Sequence, residues 1–156
     1  MSRIHSISDL KYIKPQTLYQ WITNKSSPPN GNGKFAIIDV RDSDYVGGHI
    51  KGSWHYPSSN FQNSLEDLQN KLYENDINNV IFHCMLSQSR GPSSTLKFLR
   101  SIDSIKNSKL KEFLEKKLNI YVLRGGFSHW QSEFGNDSNV TESYDEDIYR
   151  FGIPSP

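Results

Sequence analysis

The sequence has few of the features that mark a secreted, membrane or nucleic-acid-binding protein. It contains one cysteine in 156 residues, which excludes an internal disulfide. No apolar run approaches the length needed to span a bilayer. Acidic and basic residues are interspersed, and the formal net charge is +1. The chain therefore lacks the basic block that would predict binding to nucleic acid or to an anionic membrane.

Metal-binding and targeting patterns are also missing. The five histidines are scattered along the chain, so we predict neither a metal site nor a cofactor. Residues 1–6 contain no apolar segment of the signal-peptide type. Together with the single thiol, this predicts a reducing compartment, namely the cytoplasm, with the nucleus as an open alternative. The length suits one domain with a substantial core.

The most informative segment surrounds the only cysteine. Residues 83–92 have the sequence HCMLSQSRGP, which places five residues between Cys84 and Arg90. The residues before it, 79–82, are typical of a short buried strand, and residues 92–100 are typical of a helix. A strand, a turn and a helix N-terminus form a cradle in which backbone N–H groups and the helix dipole favour an anion.

The same field favours the thiolate form of Cys84, which is the nucleophilic form of a cysteine. The planar guanidinium of Arg90 suits two oxygens of a phosphate. The combination predicts cysteine-dependent phosphoryl transfer. The alternative is structural, with Cys84 as a small buried apolar residue and Arg90 as a solvated charge at the start of a helix.

Short apolar runs alternate with segments of helical periodicity along the chain. The run 35–40 is typical of a strand buried on both faces of a parallel sheet. The alternation predicts an α/β fold in which a mostly parallel sheet lies between two layers of helices. In such sheets ligands bind beyond the carboxyl ends of the strands, and Cys84 follows one of these ends.

Three blocks of the sequence resemble the rhodanese-like fold. They are residues 37–41 (IIDVR) with residues 45–53 (YVGGHIKGS), the Cys84 loop, and residues 122–127 (VLRGGF) with Trp130. Sulfurtransferases of this fold usually have a shorter loop. The loop here is similar to those of the cell-division-cycle phosphatases that activate cyclin-dependent kinases and of the related arsenate reductases. The size most resembles that of the small single-domain yeast rhodanese-like phosphatases.

The resemblance implies a rhodanese-like three-layer sandwich with a central five-stranded sheet, in a domain spanning residues 10–134. It implies Cys84 as the catalytic nucleophile and Arg90 as the clamp on the oxyanion. It also implies that the loop between them binds the substrate phosphate through backbone amides. These predicted substrate-binding residues are Met85, Leu86, Ser87, Gln88 and Ser89.

The remaining residues, 135–156, are polar and acidic and contain two late prolines. We interpret them as a mobile C-terminal tail. The alternative is that aromatic and aliphatic side chains dock this segment on the domain, and the candidates for docking are Tyr144, Ile148, Tyr149 and Phe151.

A phosphatase also needs a proton for its leaving oxygen, and the side chains of the loop supply none. Asp39, Asp42 and Asp44 follow the second predicted strand at the same sheet edge as Cys84, so each is a candidate general acid. We favour structural roles for them. Asp39 would pair with Arg41, and Asp42 or Asp44 would cap the short helix that follows.

The histidines and tryptophans near these motifs are interpreted as structural. His83 would satisfy a backbone carbonyl at the end of its strand rather than tune the thiol. His49 and His55 would order the glycine-rich turn. Trp54 and Trp130 would belong to the core.

We therefore predict a phosphatase that hydrolyses phosphomonoesters, on a phosphoprotein or a small aryl phosphate, through a phosphocysteine intermediate. The first alternative is an arsenate reductase, which would need an external thiol such as glutathione or glutaredoxin because the chain has no second cysteine. Thiosulfate sulfurtransfer comes next, followed by a non-catalytic phosphate-binding module. The predicted partner is the phosphorylated substrate, with no nucleic acid and no membrane.

Overall fold

The computed structural model describes residues 10–29 and 31–151, in which strands and helices alternate. The main sheet is formed by β1 Lys11–Ile13, β2 Phe35–Asp39, β4 Trp54–His55, β5 Asn79–His83 and β6 Asn119–Leu123, and a second sheet by β3 His49–Ile50 and β7 Thr141–Glu142. The helices are α1 Pro15–Ile22, α2 Phe61–Glu74, α3 Arg90–Ile102, α4 Ser108–Lys116, α5 Gly126–Phe134 and α6 Glu146–Phe151. Within the described ranges, no helix combines the length and apolar character that crossing a bilayer requires.

The five strands of the main sheet lie in the order β1-β6-β5-β2-β4, and every neighbouring pair is parallel. This confirms the predicted α/β fold with a five-stranded sheet. Asp39 at the end of β2 lies opposite His83 at the end of β5. The loops that follow these two strands therefore leave the sheet at the same edge, which brings the loop after Asp39 close to the Cys84 loop.

Helices cover both faces of the sheet, because successive strand residues point to opposite sides. Ile38 and Phe82 are buried in a cluster with α2, α3 and α4. Their neighbours Ile37 and Ile81 are buried in a second cluster with α1 and α5. Burying each of these side chains contributes about 2 kcal/mol, so the central strands fix the three-layer arrangement.

Helix α3 begins two residues earlier than the sequence predicts, at Arg90 instead of Pro92. Pro92 lies in the first turn, where its missing N–H would have no intrahelical acceptor. The N–H of Ser93 donates to the carbonyl of Ser89 at 2.8 Å and extends the helical bonding back into the loop. The backbone of Arg90 is therefore part of the helix and is held rigidly.

The described part of the C-terminal segment, residues 135–151, is attached to the rest of the fold. Strand β7 pairs antiparallel with β3. The indole N–H of Trp130 donates to Oγ1 of Thr141 at 2.9 Å, and Tyr149 packs against the core cluster of α1 and α5. These contacts agree with the docking alternative for this stretch. Residues 152–156 lie outside the described residues, and the division of the chain at residue 134 stays a prediction.

Candidate active site

The Cys84 loop follows β5 at the carboxyl edge of the main sheet. The sulfur of Cys84 accepts hydrogen bonds from the backbone N–H of Ser87 at 3.1 Å and of Gly91 at 3.2 Å. Ser87 has a φ of 56°, a left-handed conformation that turns the loop back on itself. Two donated N–H groups stabilise negative charge on the sulfur, which is the charge that a thiolate nucleophile carries.

The side chains of the predicted substrate-binding loop differ in exposure. Cys84 is 1% exposed and Met85 is buried. Leu86 is half-buried, and Gln88 and Ser89 are exposed. The sulfur therefore lies at the base of the loop, whereas the solvent-facing rim is formed by polar residues. The roles of residues 85–89 in binding a substrate stay a prediction.

Helix α5 holds the loop from behind. The N–H groups of Phe127 and Ser128 donate to the carbonyls of Cys84 and Met85 at 3.0 and 2.8 Å. These donors belong to the first turn of the helix, where N–H groups have no intrahelical acceptor. Gly126 permits the approach, because a Cβ on it would lie 2.5 Å from both carbonyl oxygens. The glycine pair after β6 thus fixes the backbone of Cys84 and Met85.

We expect the substitution Gly126→Ala to lower the free energy of unfolding by about 3 kcal/mol, because the added methyl group forces the loop away from α5. Gly52→Ala is the matched control. Gly52 also has a positive φ, but no heavy atom lies within 4 Å of the point where its Cβ would stand. That variant should lose only about 1 kcal/mol from backbone strain. Denaturant unfolding measures both, and equal losses would contradict the role given to Gly126.

Arg90 reaches the loop that follows β2. Its Nη1 donates to Oδ1 of Asp44 at 2.7 Å and to Oδ2 of Asp42 at 3.3 Å, and its Nη2 donates to Oδ2 of Asp44. The hydrogen bonds to Asp44 raise the pKa of Arg90 above its usual value, and the nearby Cys84 contributes in the same direction. The Nε of Arg90 is buried and has no hydrogen-bond partner among the described residues. One donor of the guanidinium is therefore left without an acceptor.

Asp39 and Arg41 form a buried ion pair, as the structural interpretation predicts. Both side chains are fully buried, and Nη2 of Arg41 donates to Oδ2 of Asp39 at 2.7 Å. Burial disfavours the charge on Asp39, but the nearby His83 and the hydrogen bonds from Arg41 hold its pKa below the usual value. Asp39 is therefore an ionised structural partner that keeps no proton for a leaving group.

The predicted cap is wrong for Asp42. Its carboxylate makes no capping bond to the 3₁₀ turn Ser43–Tyr45. It accepts instead from Oγ of Ser58 at 2.6 Å and from N–H of Ser59 at 2.9 Å, in the loop after β4. Burial acts to raise the pKa of Asp42, but these bonds and Arg90 outweigh it and lower the pKa to about 2. Asp42 is thus a carboxylate near neutral pH.

Three histidines near the site have structural contacts, in agreement with the sequence interpretation. Nδ1 of His83 lies 3.1 Å from the carbonyl of Cys84, and burial lowers the pKa of His83. Nε2 of His55 lies 2.6 Å from the carbonyl of Arg41. The ring of Tyr45 stacks on both His55 and His49 and orders the glycine-rich turn. Between residues 10 and 151, residue 30 excepted, no cluster of His, Cys, Asp and Glu is arranged to hold a metal ion.

The tryptophans are also structural. Trp130 is fully buried in the core. Trp54 is partly buried and packs against the cluster formed with α2, α3 and α4, and the ammonium of Lys71 lies 4.1 Å from the centre of its ring. Both side chains therefore serve the packing of the sheet and its helices, as the sequence interpretation has it.

A groove of about 490 Å³ adjoins the Cys84 loop. It is lined by Tyr12 from β1, by Arg124 after β6 and by residues 86–88 of the loop itself. The guanidinium carbon of Arg124 lies 5.8 Å from the centre of the Tyr12 ring. The groove combines an aromatic face with a cation beside the Cys84 loop.

Sequence reasoning misses three contributors to the site. The sequence analysis gives Gly91 no role, yet its amide donates to the sulfur of Cys84. It gives Gly126 no role of its own either, yet the lack of a side chain there admits the loop carbonyls. It offers Asp44 as a cap or an acid, yet both oxygens of Asp44 accept from Arg90. The glycines stand in the motifs quoted above and are detectable, whereas no local pattern pairs Asp44 with Arg90.

Comparisons with known proteins agree with this fold. The family model for the rhodanese-like domain matches residues 17–133. The CDC25-like phosphatase YCH1 of Saccharomyces cerevisiae is 41% identical over 154 residues, which cover 94% of this chain and 98% of that protein.

Two solved structures are similar over most of the chain. Ygr203w, described as a yeast protein tyrosine phosphatase of the rhodanese family, has a TM-score of 0.77 and 40% identity, and the match covers 93% of this chain and all of the other. The As–Sb reductase of Leishmania major has a TM-score of 0.65 and 29% identity, covering 83% and 82% of the two chains. Phosphatases and a metalloid reductase thus share this fold at recognisable sequence identity.

Proposed function

The chain belongs to the rhodanese-like domain family, and from that premise we propose that it is a cysteine-dependent phosphatase acting on phosphomonoesters. One observation carries the proposal. The sulfur of Cys84 lies between two backbone N–H donors, and Arg90 at the start of α3 has a buried Nε–H without an acceptor among the described residues. A bound phosphate would supply the missing acceptor for Nε and present its phosphorus to the sulfur.

The chemistry proceeds in two displacements. The thiolate of Cys84 attacks phosphorus, an S–P bond forms, and the P–O bond to the leaving group breaks. The guanidinium of Arg90 and those backbone amides of residues 85–90 that do not donate to the sulfur stabilise the charge on the three equatorial oxygens. Water then attacks the phosphocysteine, releasing inorganic phosphate and restoring the thiolate.

The leaving oxygen departs without a proton supplied by Asp39 or Asp42. The pKa of Asp39 is lowered by its ion pair and that of Asp42 to about 2, so both carry negative charge near neutral pH. The two oxygens of Asp44 accept hydrogen bonds from Arg90. A leaving group that is stable as an anion is therefore needed.

We expect kcat/KM for an aryl phosphate to exceed that for an alkyl phosphate of similar size by at least about 10²-fold, because a general acid is worth roughly that factor for a poor leaving group. A series of substituted phenyl phosphates should show kcat/KM rising as the pKa of the free phenol falls. Equal rates on matched aryl and alkyl substrates would indicate an acid that these contacts do not reveal.

The groove of Tyr12 and Arg124 supports an aryl substrate. A phosphate held by the Cys84 loop places its leaving group at the rim, and residues 86–88 connect that rim to the groove. An aromatic ring can pack against Tyr12 there, and Arg124 can contact an acidic neighbour in a phosphoprotein. Both substrate classes predicted from the sequence, a phosphoprotein and a small aryl phosphate, fit this surface.

Arsenate reduction is the second candidate, and the similarity to the As–Sb reductase favours it. Arsenate has the shape and charge of phosphate, so the same loop would bind it. Its reduction to arsenite consumes two electrons, which two thiols supply by forming a disulfide. Cys84 is the only thiol of the chain, so the second would come from an external thiol such as glutathione or a glutaredoxin.

The test is to assay the purified protein on three reactions in parallel. An aryl phosphate tests hydrolysis, arsenate with glutathione and glutaredoxin tests reduction, and thiosulfate with an acceptor thiol tests sulfur transfer. We expect turnover of the aryl phosphate without a thiol co-substrate. A reductant is needed only to keep Cys84 in the thiol form. Turnover of arsenate alone would favour the second candidate, and binding of phosphate without any turnover would indicate a non-catalytic module.

A further inference from the structure

The hydrogen bonds of Arg90 leave one particular edge of its guanidinium unused. A guanidinium has five N–H groups in a planar fork. Three of them donate to carboxylates. Asp44 accepts one N–H from Nη1 and one from Nη2, and Asp42 accepts the other N–H of Nη1. Those remaining are the buried Nε–H and the second hydrogen of Nη2. These two point the same way, in the spacing that matches two oxygens of one phosphate.

We propose that Asp44 is a positioning residue, which holds the guanidinium of Arg90 by its outer end so that the Nε edge faces the phosphate. This inference rests on the proposed phosphatase function and deepens it. Arg90 has several rotatable bonds, and the need to order such a side chain weakens binding and catalysis. An ion pair that already fixes the fork removes this cost from substrate binding and from the transition state.

Asp44 is itself held rigidly. It is 4% exposed, and its Oδ1 also accepts the backbone N–H of Asp42 at 3.0 Å. Its loop wraps the buried Arg41, which donates to the carbonyl of Asp44 at 3.5 Å and to that of Gly48 at 2.9 Å. Arg41 is anchored in turn by Asp39 at the end of β2. A chain of contacts therefore connects the sheet through Asp44 to Arg90.

Asp42 is less suited to the same role. It makes one contact with Arg90, at 3.3 Å, and its side chain is 29% exposed. Asp44 makes two contacts with Arg90 and is nearly buried. A bidentate pair with a nearly buried carboxylate fixes the orientation of a guanidinium, whereas a single longer contact with a partly exposed carboxylate contributes less.

The experiment is a double-substitution cycle with Asp44→Asn and Arg90→Ala. Asparagine preserves the shape of Asp44 but places an amide against one N–H of Arg90. We expect Asp44→Asn to lower kcat/KM for an aryl phosphate by about 10- to 100-fold, the effect of a misplaced catalytic group. In the Arg90→Ala background the same change should lower the residual kcat/KM less than about threefold, since the group that Asp44 positions is gone.

Asp137→Asn is the matched control, because Asp137, like Asp44, accepts a backbone N–H, but its side-chain donor is the hydroxyl of Tyr19 on α1 and not Arg90. It should leave kcat/KM within about twofold of the wild-type value. Equal losses from Asp44→Asn in both backgrounds would overturn the inference, since Asp44 would then act independently of Arg90. A rise in kcat/KM would also overturn it, because Asp44 would then restrain Arg90 from binding phosphate.

A second readout separates this inference from the proposed function. The dissociation constant for inorganic phosphate, measured calorimetrically, should rise about tenfold in Asp44→Asn and stay unchanged in Asp137→Asn. If the wild type binds phosphate but hydrolyses no ester, the phosphatase proposal fails, and the shift in the dissociation constant still decides whether Asp44 positions Arg90. An unchanged dissociation constant in Asp44→Asn would overturn the inference.

Discussion

Replacing Cys84 with serine is expected to lower kcat on an aryl phosphate by at least about 10³-fold while inorganic phosphate still binds. Serine has the size to fit the loop, and its oxygen can accept the N–H groups of Ser87 and Gly91 that the sulfur accepts now. A serine hydroxyl is hardly ionised at neutral pH, so this variant lacks the thiolate that would attack phosphorus. Binding and chemistry should thus separate in this variant.

The single cysteine allows an independent check on the same residue. A thiol-selective alkylating reagent can modify only Cys84, so loss of activity should parallel incorporation of one label per chain. Inorganic phosphate should slow the labelling, because it occupies the loop. Hydrolysis by Cys84→Ser at the parental rate, or full activity of the alkylated protein, would contradict a nucleophilic role for this thiol.

Most of the fold could be predicted because short segments of the sequence carry enough pattern to identify the main strands and helices. The run 35–40 is buried on both faces, and its alternating residues enter two different clusters, as expected for a central parallel strand. The Cys84 loop could also be predicted, since a strand, a turn and the start of a helix follow each other without interruption in the sequence. The placement of Cys84 at the carboxyl edge of the sheet then follows from parallel topology alone.

The features that could not be predicted depend on pairs distant in sequence. Arg90 and Asp44 are joined only because β2 and β5 are neighbours in the sheet, which brings their following loops together. Asp42 resembles a helix cap in its local sequence. Its carboxylate oxygens instead accept hydrogen bonds from Ser58 and Ser59, which follow a different strand. The local sequence shows which side chains can accept a hydrogen bond, whereas the tertiary fold determines which donor lies close to them.

The C-terminal segment illustrates the same limit. Its polar and acidic composition predicts a mobile tail, because few of its residues can contribute to a core. Strands of two residues, such as β3 and β7, carry too little pattern to be recognised in a sequence. Their pairing places Thr141 where it accepts the indole N–H of Trp130, a bond that satisfies a buried donor. The buried indole N–H of Trp130 thus helps to fix where this polar segment packs on the domain.

Replacing Arg90 with lysine is expected to lower kcat/KM for an aryl phosphate by about 10²- to 10³-fold, although the positive charge is kept. The ammonium of lysine is a point charge and cannot pair with both oxygens of Asp44 while presenting two N–H groups to a phosphate. Its position in the loop is then no longer fixed. Both kcat and phosphate affinity should fall, because the contact exists in the bound substrate and strengthens in the transition state.

The matched control is Arg100→Lys, the same chemical change on the exposed side of the same helix, α3. It should leave kcat/KM within about twofold of the wild-type value and the midpoint of thermal unfolding nearly unchanged. Steady-state kinetics on a phenyl phosphate series would also show a steeper dependence on the leaving group in Arg90→Lys, because less of the transition-state charge is stabilised by the protein. If Arg90→Lys kept more than about half of the wild-type kcat/KM, charge alone would suffice at this position, and the bidentate geometry between Asp44, Arg90 and the phosphate would have no part in catalysis.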